Sequence, residues 1–437
     1  MLVLKCLRCG AVEDPRSYIL RCPACGGTLI PTVEKVQKLI KSNDAGVWSW
    51  RNYLMSSSST VTLGEGNTPL IKSVGISDIV GSANVFIKNE SRNPTGTFLD
   101  RGSATLTSAA VSFKIRKVVI ASLGDLGISV ASYGRRVKLK SLTYLPLSAA
   151  PSKAYQTLLL SDKVVFVSGY EEAVKKALRH ESEYVMPVTP QNPYLLEGYR
   201  TIYYEIFYAL KKHPDYLVVP IGDGGLYTML WIALRELGGD TVIIGVKGGH
   251  DSPLMKDIAV KKPLLWDLVK LAIKDCGGFI VEVSEEDIVE AAKLLAKSEG
   301  VLAEPAGAAS IAALIKESSR FDRKSSIVAI VTSAALADTA TLRALINKFI
   351  ELTDIQKIGF TKALILEILA IHGPLHVYAL WKIIKEFRGL GISLRALYQH
   401  MKELESLSMV RVVAEEIVEG RRRKIYEVTE KGIKAIS

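Results

Sequence analysis

Between about Val33 and Leu352, short aliphatic and β-branched runs recur, each followed by a longer helical pattern that ends in glycine or proline. Val85-Phe86-Ile87, Val118-Val119-Ile120, Tyr216-Leu217-Val218-Val219, Thr241-Val242-Ile243-Ile244 and Ile327-Val328-Ala329-Ile330-Val331 show almost no alternation with polar residues. A strand of that kind needs cover on both faces. Parallel sheets supply it, because their crossovers lay helices on either side. Gly127 to Tyr133 and Tyr227 to Leu237 read as two of those helices. The expected core is therefore α/β with parallel sheets, and its ligands belong at the carboxyl ends of the strands. The chain has 437 residues, more than one hydrophobic core usually supports, so further domains are expected at its ends.

At the amino end stand Cys6-Leu7-Arg8-Cys9-Gly10 and, 12 residues on, Cys22-Pro23-Ala24-Cys25-Gly26-Gly27. Two CxxC pairs at this separation form the ligand set of a zinc ribbon. Each pair makes a tight knuckle, and the glycines let the backbone turn. Four thiolates fill the tetrahedral shell of Zn²⁺ and leave no position for water, so Cys6, Cys9, Cys22 and Cys25 imply a structural metal. Without it, a segment of about 30 residues has too little core to fold alone. Cys276 stands apart and reads as an ordinary partly buried thiol. The N-terminus lacks a basic stretch leading into a long apolar run, and no uninterrupted apolar run of about 18 residues occurs. We therefore expect a cytoplasmic protein without a membrane span, in which paired cysteines bind metal rather than form disulfides.

The carboxyl end carries a different pattern. Thr361 to Ile371 reads as an amphipathic helix stopped by His372-Gly373-Pro374, and a second helix runs from Val377 to Phe387 and ends at Gly389-Leu390-Gly391. Ser393 caps a third, reaching about Leu407, with Leu394, Leu397, Met401 and Leu404 on its buried face. Two strands follow, Val410 to Ile417 and Lys424 to Val428, joined by Glu419-Gly420-Arg421-Arg422-Arg423. Three helices and a basic-tipped hairpin make a winged helix-turn-helix. From Gln356 to Ser437 there are 14 Lys/Arg and 9 Asp/Glu, hence +5 of the chain's net +11. A basic terminal unit suits a polyanion, double-stranded DNA first, although charge alone equally suits a solvated surface. In such a domain Arg395, Gln399 and Lys402 face the major groove, and Arg421, Arg422, Arg423 and Lys424 meet the phosphates. Tyr398, Lys402 and Leu404, with Gly420 to Lys424 and Thr429-Glu430-Lys431-Gly432, resemble PadR-type regulators.

The middle segment carries specific motifs. Leu63-Gly64-Glu65-Gly66-Asn67-Thr68-Pro69-Leu70 and Asn93-Pro94-Thr95-Gly96-Thr97-Phe98-Leu99-Asp100-Arg101-Gly102 lead the series. Ser122-Leu123-Gly124-Asp125-Leu126-Gly127, Glu197-Gly198, Gly222-Asp223-Gly224-Gly225, Glu304-Pro305-Ala306-Gly307 and Thr332 follow in order. Together they resemble the threonine synthase family of fold-type II pyridoxal-phosphate enzymes over roughly the first 350 residues. The resemblance implies a two-domain fold-type II architecture, with a cofactor pocket at Thr95, Leu99, Ser122, Asp125, Gly222, Asp223, Gly224, Gly225, Glu304 and Thr332. It also implies a lysine between Phe98 and Asp100, to hold pyridoxal phosphate as an imine and to move protons. Leu99 stands there and can do neither. The resemblance further implies a ring-contacting asparagine where Asp125 stands, and commonly an asparagine where Asp223 stands, in the turn whose amides would meet the phosphate. Two anions in one pocket repel unless one is protonated or paired. The turn after Thr332 is altered too, reading Ser333-Ala334-Ala335-Leu336-Ala337-Asp338. Of the other lysines, Lys88 and Lys247, placed on neighbouring strand elements, are candidates to replace the lost amine.

The expected organisation is a zinc ribbon over 1–30, a threonine-synthase-like domain over 31–352 and a winged helix over 356–437. The leading expectation is a regulator built on a catalytically inactive enzyme fold, with a small amino-acid-like metabolite in the cleft and a homodimer on DNA. The alternative is a pyridoxal-phosphate-dependent threonine synthase or related lyase with an attached regulatory domain. A third is a non-catalytic partner of such an enzyme, its winged helix serving as a protein contact.

Overall fold

The computed structural model describes residues 2–55, 59–81, 84–249, 253–335, 359–388, 392–418 and 421–436. The chain divides into two compact units, Met1–Leu345 and Ile346–Ser437. The expected boundary between 352 and 356 lies outside the described residues, as do Leu336 to Asp338, Gly389-Leu390-Gly391 and Glu419-Gly420.

The first unit opens with β1 (Leu2–Cys6), β2 (Val12–Glu13) and β3 (Leu29–Val33), an antiparallel sheet with β1 in the middle. Then come β4 (Leu70–Lys72), α1 (Gly75–Val80), β5 (Asn84–Asn89), α2 (Leu99–Ser112), β6 (Lys117–Ala121), α3 (Asp125–Arg136) and β7 (Lys140–Pro146). After these follow α4 (Pro151–Leu160), β8 (Lys163–Val167), α5 (Tyr170–Leu178), β9 (Val185–Val188), α6 (Pro193–Leu210), β10 (Tyr216–Pro220), α7 (Gly225–Glu236) and β11 (Val242–Gly248). The unit ends with α8 (Trp266–Cys276), β12 (Phe279–Val283), α9 (Glu285–Glu299), α10 (Pro305–Lys316) and β13 (Ser326–Val331).

Two sheets result. One has the order β12-β11-β10-β13-β5-β4, parallel except for the antiparallel edge strand β4, and the other is the parallel set β8-β7-β6-β9. All five expected strands appear. Every residue of β13 is buried, and four of five are in β6 and β10, as strands covered on both faces require. Each fully buried Val, Ile or Leu side chain contributes about 1.5–3 kcal/mol of transfer free energy.

Motif residues Thr68, Arg101 and Gly198 turn out to hold the scaffold. Arg101 is fully buried; its Nε and Nη2 donate to Glu90 at 2.7 and 2.8 Å, and its Nη1 and Nη2 donate to Glu205 at 2.6 and 2.8 Å. Lys88 Nζ closes the network on Glu205 at 2.5 Å and on the Thr68 carbonyl at 2.7 Å. Burial alone would raise the Glu205 carboxyl, but Arg101 and Lys88 outweigh it and bring it down to about 2. Gly198 is required by packing, since a Cβ there would sit 2.2 Å from the Arg101 carbonyl oxygen.

The second unit contains α11 (Phe360–His372), β14 (Leu375–His376), α12 (Val377–Arg388), α13 (Leu394–Ser406), β15 (Val410–Val418), β16 (Arg421–Val428) and α14 (Glu430–Lys434). Its sheet runs β14-β16-β15. Leu364, Ile365, Leu369, Leu380, Leu397, Met401 and Tyr426 form its core. Ser393 Oγ accepts the Ala396 amide and so caps α13, as its sequence implied. One expectation fails: Arg421, Arg422 and Arg423 are not the tip of a loop. They belong to β16, paired with Val418, Ile417 and Glu416, because the strand-forming run extends three residues further toward Gly420 than the cluster of charges suggested.

Candidate functional site

The carboxyl ends of β6, β10 and β13 meet the start of α2 around a cleft with about 930 Å³ of empty space, its mouth included. Leu99 begins α2 and lines this cleft, with Ser122, Asp125, Gly222, Asp223, Gly224, Gly225 and Thr332. Thr95 and Glu304 are not among the lining residues. Thr95 donates to Asp100 from its amide and hydroxyl, both at 2.6 Å. Glu304 is buried just before α10. Tyr170, Tyr199 and Asp257 line the cleft without having been singled out by any motif. None of the described lining residues is a lysine, arginine or histidine.

The lysine that matters here is another one that the motifs did not mark. Lys153, in the first turn of α4, is buried, and its Nζ lies 2.8 Å from Asp125 Oδ2, 3.3 Å from Glu304 Oε1 and 3.4 Å from Asp257 Oδ2. Its stem packs over Gly124, where a Cβ would come within 2.9 Å of Lys153 Cβ. Burial alone would lower the ammonium, but the neighbouring acids, Asp125 above all and then Asp257, hold it well above the ordinary lysine range. Burial and repulsion from Asp125 and Asp257 push Glu304 up to about 8 against the pull of Lys153. The expected clash of anions is thus resolved at Asp125 by pairing with Lys153.

At Asp223 it is resolved differently. Asp223 sits in the turn between β10 and α7; its Oδ2 accepts from the Tyr170 hydroxyl at 2.8 Å and its Oδ1 from the Leu264 amide at 3.2 Å. Burial raises this carboxyl above its usual value. The glycines of the turn have packing reasons of their own. A Cβ on Gly222 would meet the Asp257 carbonyl oxygen at 2.4 Å, and Gly224 takes φ +94° with Val269 Cγ2 at 2.7 Å from its would-be Cβ. At α3, Ser122 Oγ already accepts the amides of Gly124 and Gly127, each at 2.8 Å.

Neither candidate replacement lysine reaches the cleft. Lys88 is committed to Glu205, and Lys247 lies over the Trp266 ring, 4.8 Å from its centroid. Their strands β5 and β11 are not neighbours, since β13 and β10 run between them.

In the ribbon, the four thiols of Cys6, Cys9, Cys22 and Cys25 lie within 4.8 Å of one another, with Cys6–Cys25 and Cys9–Cys22 sulfur pairs at 3.5 Å. A tetrahedral zinc–thiolate site implies sulfur separations of about 3.8 Å, so the set can hold zinc. Gly10 and Gly26 complete the knuckles, their amides donating to the carbonyls of Cys6 and Cys22 at 2.8 Å. The ribbon is joined to α6 by the Tyr194 hydroxyl, which donates to the Ser17 carbonyl at 2.9 Å and accepts the Ile19 amide at 3.1 Å.

In the second unit, Arg395, Gln399 and Lys402 are exposed along α13. On β16, Arg422 and Lys424 are exposed on one face, whereas Arg423, on the other, lies over the Tyr378 ring at 5.4 Å. Lys424 is 3.7 Å from Glu405. The side chain of Arg421 is outside the described residues. No helix among the described residues is long and apolar enough to cross a membrane.

Comparison with known proteins gives each unit a family. Residues 61–333 match the model of the pyridoxal-phosphate dependent enzymes, and residues 365–437 match the transcriptional regulator PadR-like family. The threonine synthase of Methanocaldococcus jannaschii is 32% identical over 387 residues, 78% of this chain and 95% of that protein. The threonine synthase of a Synechocystis species is 34% identical over 314 residues, 66% of this chain and 82% of that protein. Among solved structures, threonine deaminase isoform 2 of Solanum lycopersicum aligns with TM-score 0.58 at 21% identity, over 73% of this chain and 98% of its own. Maize serine racemase aligns with TM-score 0.55 at 22% identity, over 64% and 92%. At such identities these two structures speak for the shared fold alone.

Proposed function

The chain belongs to the pyridoxal-phosphate dependent enzyme family and carries a PadR-like domain at its C-terminus, and from that premise we propose that it is a DNA-binding transcription regulator whose enzyme-derived cleft senses a small metabolite without converting it. The observation that carries the reading is the state of the amines. Leu99 lines the cleft where the family's chemistry asks for a lysine. Lys153 is kept protonated by the acids around it, Asp125 and Asp257 foremost, and an ammonium is not a nucleophile. Pyridoxal phosphate does not fit these residues. Among the described lining residues it finds no amine, and Asp223 places a carboxylate in the turn that its phosphate would need.

The DNA reading rests on the second unit. α13 presents Arg395, Gln399 and Lys402 outward for the major groove, and β16 presents Arg422 and Lys424 for phosphates. A homodimer would place two such helices on a two-fold site.

The test is the absorption spectrum of the full-length protein with pyridoxal phosphate, before and after borohydride, together with selection of a DNA site from a random pool. The reading expects no imine band, no covalent adduct and enrichment of a defined sequence. A borohydride-fixed adduct on Lys153, or any other lysine, with turnover of an amino-acid substrate would overturn it in favour of an enzyme.

A further inference from the structure

We propose that helix α4 and edge strand β8 form the face through which two copies of this chain pair about a two-fold axis. The inference deepens the regulator reading, on which it rests for its purpose, by naming the surface that would supply a two-fold arrangement.

The first observation is a helix turned inside out. α4 buries Lys153 and Thr157 and turns Tyr155, Leu158 and Leu159 outward, 68%, 50% and 82% exposed. A helix at the surface of a soluble protein places its apolar stripe inward instead. Two more apolar side chains adjoin this face. Leu147, before α4, is 73% exposed, and its amide donates to the Val167 carbonyl at the end of β8. Phe166 of β8 is 44% exposed. Val165 and Val167 pack with α5, so Val164 and Phe166 lie on the opposite face of the sheet. That is the face of α4: Thr143, beside Val164 in the ladder, meets Gly127 of α3. α3 in turn holds α4, through Arg135 Nε donating to the Leu160 carbonyl at 2.7 Å.

The second observation is the state of the sheet edge. β8 is the last strand of the order β8-β7-β6-β9, and no strand among the described residues pairs with its outer side. Soluble proteins guard such edges with charges, prolines or bulges. Lys163 is the only charge in β8, and Val164-Val165-Phe166-Val167 runs on without a proline. An edge of that kind is open to another strand.

Area, register and charge select a second copy as the occupant. The five exposed side chains amount to on the order of 600 Å² per copy, at roughly 200 Å² for a large side chain. Two such faces would bury about 1,200 Å² together, where specific interfaces begin. Antiparallel pairing of β8 about an axis at Val165 sets Val164 of each copy opposite Phe166 of the other, and no like charges face each other. The same register brings Lys163 opposite Val167 of the other copy, on the face that α5 covers. There it approaches Glu171 and Glu172 in the first turn of that copy's α5, so each end of the pair joins a cation to acids.

The experiment is sedimentation equilibrium of the full-length, zinc-loaded protein at micromolar concentrations, with circular dichroism to show that each variant folds. We expect a dimer, and Leu159→Asp should weaken it by at least about tenfold. Should Leu159→Asp not fold, Lys163→Glu decides instead: it should weaken the dimer, and adding Glu171→Lys should restore it. A wild-type monomer, or a dimer unmoved by the deciding variant, would overturn the inference. The two readings fail separately. A dimer lost in Leu159→Asp stands even if no DNA sequence is enriched, a result that sinks the regulator reading alone. A dimer unmoved by Leu159→Asp in a protein that does select a DNA site sinks this interface alone.

Discussion

The Tyr170 hydroxyl donates to Asp223 Oδ2 at 2.8 Å across the turn that opens α7. With the Leu264 amide on Oδ1, this makes the carboxylate a fixed part of the glycine turn. The positive end of a 12-residue helix is therefore already faced by an acid of the protein itself. Burial raises that acid above its usual value, as expected for a carboxyl bonded to a neutral hydroxyl and one amide rather than to a cation.

Replacing Asp223 by Asn should reopen the turn to anions. The amide keeps the shape and can still meet Tyr170, while the repulsion goes. Affinity for pyridoxal phosphate, read by fluorescence titration, should rise about tenfold, or about 1.4 kcal/mol. Adding Leu99→Lys, which places an amine at the start of α2, should then produce an imine band that borohydride fixes. If Asp223→Asn binds no better than the wild type, the turn is closed to phosphate by its shape and not by its charge.

Glu304 sets a pH dependence of opposite sense to the common carboxylate case. Its folded value, about 8, lies above the ordinary glutamate value of 4.5. The folded protein therefore keeps a proton that the unfolded chain has lost. Stability from this group is fully present below about pH 4.5 and declines as pH rises toward 8. Denaturation midpoints measured from pH 5 to 8 should fall more steeply in the wild type than in Glu304→Gln. Lys153→Met should cost about 3 kcal/mol by leaving buried carboxylates uncompensated. The loss should be larger at pH 8 than at pH 5, where the acids can protonate.

The parallel core, the cysteine cluster and the winged helix were legible in the sequence because each rests on a local signal: unbroken aliphatic runs, paired CxxC, and helical periodicity with a Ser393 cap. Leu99 was legible because motif order fixes its place. Lys153 and Asp257 were not. They come from the start of α4 and from a loop after β11, segments that carry no motif, and only the folded chain brings them to Asp125 across 28 and 132 positions of sequence. Lys88 misled for the reciprocal reason. A lysine on a core strand resembles a free amine until Glu205, 117 residues away, is seen to claim it. The arginines of β16 were placed in a loop because three consecutive charges suppress a strand reading, although a strand extending beyond the core tolerates them well.

The ribbon should depend on its metal and report its loss elsewhere. Chelation, or Cys22→Ser, should remove one equivalent of zinc and lower the melting temperature by about 5 °C, a cost of about 2 kcal/mol for a chain of this kind. Because Tyr18 and Tyr194 stack at 6.5 Å and Tyr194 bonds to Ser17 and Ile19, the near-ultraviolet tyrosine signal should change with it. Full metal loss with an unaltered spectrum and melting temperature would show that the thiols do not organise this contact.

The wing should bind DNA through an order of residues set by the structure and not by charge alone. Arg422 is exposed, Lys424 is exposed but 3.7 Å from Glu405, and Arg423 lies over the Tyr378 ring on the opposite face. Each phosphate contact contributes about 0.9 to the slope of log affinity against log salt. Arg422→Ala should therefore reduce the slope by about 0.9, Lys424→Ala by less, and Arg423→Ala least of the three. Gln399→Ala should leave the slope alone and relax the preference for one base position, since on the proposed reading this exposed residue of α13 meets a base edge. Anisotropy titrations of the full-length protein on a selected site, repeated from low to high salt, give all four values. Equal losses at Arg422 and Arg423 would mean that the hairpin meets DNA through both faces, and unchanged slopes throughout would mean that β16 does not meet DNA at all.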